Sequence, residues 1–173
     1  MRVHERLRRW VPLYVALAGF ALCTIRASTI GPELRFVVSG TLAGSCGFAT
    51  DDITFDLKDV YASAFEKPGA THGHAESAIR STGCFGVSRV KMIFSGDQVA
   101  GYPELFGVSP GGAKGIAVRL DTLDGRPVIP GREVHWAPQP QGGGYGFVAS
   151  YVRTGDMKAG AAHARIVVDI TYD

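Results

Sequence analysis

Long apolar runs, histidines and cysteines are all scarce in this chain, and each scarcity removes a class of protein. Its apolar run at residues 11–23 falls short of the roughly 20 residues that a bilayer-spanning helix needs. Of five histidines only His72 and His74 lie close together, and a metal site on that pair would need further ligands. There is no Cys-x-x-Cys pair, no Gly-x-Ser-x-Gly elbow and no serine beside a histidine, so neither a zinc module nor a nucleophile constellation stands out. The acidic pair Asp51–Asp52 reads as loop solvation rather than acid–base machinery. No 3.6-residue apolar period is sustained, and no segment repeats. Those gaps leave an all-β domain without evident catalytic equipment.

The N-terminus is of a different character. "MRVHERLRRW" carries Arg2, Arg6, Arg8 and Arg9, and "VPLYVALAGFALC" follows as a short apolar stretch. A basic region ahead of such a stretch reads as a secretory signal peptide, expected to span residues 1–27 with cleavage after Ala27. That segment holds five of the 18 Lys and Arg and one of the 16 Asp and Glu, leaving 13 against 15 and a net charge of about −2. The basic bias thus belongs to the export signal, and the remainder lacks the footprint of a nucleic-acid binder. Cys23 leaves with the signal. Cys46 and Cys84 can then form a single intramolecular disulfide, the alternatives being two free thiols or a metal pair. Closing that loop contributes roughly 3–4 kcal/mol in the chain-entropy picture.

Strand patterns follow one another through the body. "LRFVVSGTL" places Leu34, Phe36, Val38 and Leu42 on one parity, with Gly40 between them. "ITFDL", "VKMIF", "IAVRL" and "FVASYV" alternate as well, and Gly- and Pro-rich stretches punctuate them. "VYASAFEKPGATHGHAE" reads as a loop with one helical turn, and "PQPQGGGYG" as a flexible hairpin connection. Trp136 suits either a surface binding aromatic or a half-buried strand end. The last segment alternates most cleanly, with Ala164, Ile166, Val168, Ile170 and Tyr172 on one face. A period of two with one apolar face is a half-buried strand, and short strands at this spacing predict an antiparallel β-sandwich.

Several spaced pieces together resemble the subunits of chaperone–usher fimbriae, the pilins of type 1 and P pili. "SGTLAGSC" is similar to that family's first strand, ending at Cys46, and "STGC" places Cys84 where the family closes its disulfide. "VKMIFSG" and "KGIAVRLDTLDGRPVIPG" resemble its central strands. "GFVASYVRTGDMKAGAAHARIVVDITYD" matches its last two, with Gly160 and the penultimate Tyr172 bracketing the strand used in assembly. The likeness runs from about Leu34 to Asp173.

The resemblance implies an incomplete immunoglobulin-like β-sandwich, the pilin fold, lacking its final strand and completed by a donor strand from another chain. It divides the chain into a signal peptide (1–27), an N-terminal donor-strand extension (28–40) and a pilin domain (41–173). Ile30, Leu34, Phe36, Val38 and Gly40 would form the donor strand, and Gly160, Ile166, Val168, Ile170 and Tyr172 the acceptor groove. The implied partners are a periplasmic pilus chaperone, an outer-membrane usher and neighbouring fimbrial subunits, with no cofactor, nucleic acid or small-molecule substrate. The implied destination is a cell-surface fimbrium reached through the periplasm. A free-standing exported sandwich that binds carbohydrate or protein through its loops is the alternative.

Overall fold

The computed structural model describes residues 39–49 and 52–173, so the signal segment and Ile30, Leu34, Phe36 and Val38 lie outside the described residues. Two antiparallel sheets face each other. The larger contains β1 (Ser45–Phe48), β2 (Thr71–Phe85), β4 (Gln98–Val99), β5 (Tyr102–Gly107), β6 (Lys114–Thr122) and β8 (Gly143–Lys158), in the order β1-β2-β8-β6-β5-β4. The smaller contains β3 (Val90–Gly96), β7 (Glu133–Trp136) and β9 (Ile166–Tyr172), in the order β7-β3-β9.

Alternation builds the core. Tyr145, Phe147, Ala149 and Tyr151 of β8 point inward, while Gly144, Gly146, Val148 and Ser150 take the other face. From the facing sheet come Val90, Met92 and Phe94 of β3, and from beside β8 come Ile116, Val118 and Leu120 of β6, all buried. Phe94 meets Phe147 edge-on across the sandwich at 5.1 Å between ring centroids, and Trp136 meets Tyr145 and Phe147 at 5.3 and 5.6 Å. Trp136 is therefore a half-buried strand-end residue, and Arg126 covers one face of its ring.

Four local expectations are corrected. Among the described residues the first strand begins at Ser45; residues 39–44, including the end of "LRFVVSGTL", belong to no strand, and Leu42 is 94% exposed. "ITFDL" keeps its alternation, with Ile53 and Phe55 half-buried and Leu57 buried, yet it pairs with no strand among the described residues. Alternation reports which side chains meet a core; hydrogen-bonded pairing needs a neighbour as well. The loop read into "THGHAE" is strand: β2 starts at Thr71 and absorbs Gly73, at φ 74°, in a bulge between His72 and Ala75. The preceding part does hold the one expected helical turn, at Ala62–Ala64. Finally, "PQPQGGGYG" is no hairpin connection, because β7 and β8 lie in different sheets and Gly143 already belongs to β8.

Candidate functional site

β9 is an edge strand. Its hydrogen-bonded partner is β3, in a register running from Val90–Tyr172 to Gly96–Ile166, and among the described residues no strand lies on its other side. The phase of that ladder follows from its end. Asp173 N–H donates to the Arg89 carbonyl at 3.1 Å, and Arg89 N–H donates back to Asp173 at 3.4 Å. Antiparallel pairs alternate, so Thr171, Asp169 and Val167 also bond to β3. The N–H and C=O groups of Ile166, Val168, Ile170 and Tyr172 therefore point to the open edge. The same parity sets the side chains: Ile166, Val168 and Ile170 are half-buried against the core, whereas Val167 is 51% exposed. One set of residues thus presents both an apolar wall and a row of main-chain donors and acceptors, the combination that recruits another strand. Tyr172 stands at the rim, 39% exposed.

Residues 52–60 form a second wall. Ile53, Phe55 and Val60 pack half-buried on the same core cluster as Ile166, Val168 and Ile170. Tyr151 links the walls. Its hydroxyl donates to the Ala162 carbonyl at 2.8 Å, while burial pushes its phenol pKa up and Asp56 and Asp59 add to the shift. At Gly73, a Cβ would meet both the Leu57 carbonyl and the Tyr151 ring. The half-buried parity continues back through Ala164 and Ala162, where small side chains leave a cleft of about 100 Å³ between Val60, Ala62, Ile116, Met157 and Gly160.

Gly160 has a packing role at the end of this cleft. The run before β9 crosses the 109–113 segment backbone to backbone, through Ala113 N–H to Ala161 O at 2.8 Å and Ser109 N–H to His163 O at 2.6 Å. A Cβ at 160 would sit 2.9 Å from Ala113 N, and one at Gly112 would sit 2.0 Å from Ala161 O. Gly112→Ala should therefore destabilise the fold by about 1–3 kcal/mol through overpacking against main chain. Gly155→Ala, with nothing within 4 Å of its Cβ position, should be nearly neutral in the same denaturant titration.

The chain after residue 44 and the end of β9 are each tied down. The disulfide joins Cys46 to Cys84, which are register partners in β1 and β2, across a sequence separation of 38. It anchors the chain a few residues after 39–44. At the far end Lys91 pairs with Asp173 at 2.6 Å, and the hydrogen bond from Lys91 holds the Asp173 carboxyl below its ordinary range. That contribution is present above the ordinary carboxylate pKa and is lost as pH falls through the depressed one. Gly40 is exposed with nothing within 4 Å of its Cβ position. The histidines are dispersed: His72 packs on Phe65, His74 contacts Glu76 at 3.0 Å and His135 contacts Glu133 at 3.6 Å.

Fold and edge together define an incomplete immunoglobulin-like sandwich, a subunit with a strand position left open. The chain belongs to the fimbrial protein family, whose model matches residues 33–173. It is 22% identical over 176 residues to a probable fimbrial subunit, LpfE, of Escherichia coli O157:H7, covering 97% of this chain and 99% of that protein. A subunit of a chaperone–usher pilus whose structure addresses rod uncoiling superposes with a TM-score of 0.65 at 19% identity, over 85% of this chain and 100% of that one. The CupB6 tip adhesin of Pseudomonas aeruginosa superposes with a TM-score of 0.60 at 20% identity over 66% of this chain. The present chain spans 34% of that adhesin's length. The protein is thus a fimbrial subunit with the fold found in chaperone–usher pili.

Proposed function

We propose that this chain builds a chaperone–usher fimbria by donor-strand complementation and exchange, the mode of β-strand addition used by pilins. The arm of one copy, with Ile30, Leu34, Phe36, Val38 and Gly40 on one parity, lies along β9 of the next copy. The observation that carries the reading is the coincidence on Ile166, Val168, Ile170 and Tyr172 of an apolar face with outward main-chain groups. Leu42 extends the donor: it shares the parity of Gly40, is exposed and lies in no strand, so the arm continues to residue 44. An antiparallel arm would bring Leu42 toward the cleft at Gly160 and Ala162, where small residues leave room. Arm into groove is a heterologous, non-closing contact, and repetition gives a filament.

Before assembly a periplasmic chaperone lends the missing strand, and an outer-membrane usher passes the subunit to the growing fibre. Residues 1–27 direct export, and the finished polymer stands on the cell surface, where it supports adhesion. The role is structural, with Cys46–Cys84 fixing the root of the arm and no catalytic residue involved.

Two neighbouring substitutions test this. Val168→Asp puts a charge into the groove wall and should abolish filaments on cells producing the chain with its chaperone and usher. Val167→Asp, on the exposed parity, should leave them intact. Electron microscopy of the cells reads both, and equal filament yields from the two variants would remove β9 from the assembly mechanism.

A further inference from the structure

The three-stranded sheet has a second edge, at β7, and it differs from β9. Because Lys91, Ile93 and Ser95 bond to β9, Val90 and Met92 bond to β7, at Trp136 and Val134. The main-chain groups of Glu133 and His135 therefore face outward. One of its outward main-chain groups is occupied: Arg126 Nη1–H donates to the His135 carbonyl at 3.2 Å, and the guanidinium carbon lies 4.9 Å from the centroid of the Trp136 ring. The guanidinium is itself held. Its Nε–H donates to Asp124 at 2.9 Å, and Asp124 also accepts the hydroxyl of buried Thr122, which in turn accepts the Arg126 main-chain N–H at 2.9 Å.

We propose that Arg126 is a specificity residue that closes the β7 edge and confines strand addition to β9. This rests on the reading of the chain as a strand-accepting subunit. Edge strands pair with whatever strand arrives, and a β7 edge left bare would pair with β7 of a second copy across a twofold axis. Such pairing would tie filaments side by side. An approaching strand must first break the charge-assisted bond to His135 and uncover Trp136. Among the described residues no side chain makes the corresponding bond to the outer main-chain groups of β9, so the sheet is open on one side and capped by Arg126 on the other.

The test uses filaments of the full mature chain and compares wild type, Arg126→Ala and Arg126→Ala/His135→Pro by low-speed sedimentation and electron microscopy. Loss of a charge-assisted hydrogen bond should raise the laterally bundled, pelletable fraction of Arg126→Ala by about tenfold. The added proline removes only the outward N–H of His135, so the β3–β7 bonds survive while an incoming strand is blocked, and dispersed filaments should return. Dispersed filaments of Arg126→Ala would overturn the proposal. So would bundles that persist in the double variant, since association would then come from uncovered Trp136. A wild-type chain that forms no filaments would count against the fimbrial reading alone. Arg126 would then be judged by light scattering of the soluble chains, where Arg126→Ala must still self-associate more than wild type.

Discussion

A chain beginning at Ser45 should melt far below its complex with a peptide of residues 28–44, by about 15 °C or more. Burying four apolar side chains such as Leu34, Phe36, Val38 and Leu42 contributes about 6–12 kcal/mol, at about 1.5–3 kcal/mol each. Ordering the peptide and its side chains offsets part of that gain. For a domain of this size each net kcal/mol shifts the midpoint by about 2–6 °C. Whole domains are stable by only about 5–15 kcal/mol, so the missing strand is comparable to everything else the fold has. Part of the surface that would receive it is already in place: Ile166, Val168 and Ile170 of β9, with Ile53 and Phe55, are each half-buried on the same core. A differential thermal melt of the oxidised domain, with and without peptide, reads the effect directly. Peptide release should be very slow, because the complex can dissociate only by uncovering that face. A domain that melts high alone and ignores the peptide would be a closed sandwich, and the free-standing binding module would replace the fimbrial subunit.

How far the sequence could anticipate this depended on whether the determining contacts were local. β3, β6, β8 and β9 each carry a period of two with large apolar residues on one face, so their own residues declare them. β2 hides its first half because Ala75 and Ser77 lie opposite Ala149 and Phe147 of β8, and small residues suffice there. β5 breaks the period because Leu105 and Phe106 are both buried, Leu105 in a small cluster with Ala117 and Val152 and Phe106 in the main core. The inward face of β9 was readable from Ala164 to Tyr172. Its open edge was implied only by the likeness to pilins, because openness depends on what a strand lies beside, and that is set by topology. The same limit hid the second wall at residues 52–60 and the Arg126 cap, which joins positions from two different sheets. Gly160 stands out in the sequence only by its place before the last strand. Its physical reason, a close main-chain crossing against Gly112 and Ala113, appears only when the two segments are brought together.

Removing the disulfide should produce the other large effect. The double substitution Cys46→Ala/Cys84→Ala frees a loop whose ends are 38 residues apart, which costs about 4 kcal/mol in the chain-entropy picture. Alanine is the right replacement because Cys84 is buried as part of the apolar core, where a second hydroxyl beside that of Ser81 would add a cost of its own. Cys46 and Cys84 are cross-strand partners, and β1 has four residues with β2 as its pairing strand. Without the link, β1 must hold by a short ladder interrupted at Gly47 and Phe48. A domain that also lacks its final strand has little reserve, so the disulfide-free chain without peptide should be largely unfolded at 37 °C. Adding the peptide should restore folding, because strand and disulfide act at different places and their contributions should be close to additive. Urea titrations of both forms, with and without peptide, give four midpoints. A loss near 4 kcal/mol in the peptide-bound pair would mean that the bond sets the stability of the domain itself. A loss below about 1 kcal/mol would mean that β1 can detach without consequence, and the arm would then hang from the packed segment at residues 52–60 rather than from the first strand.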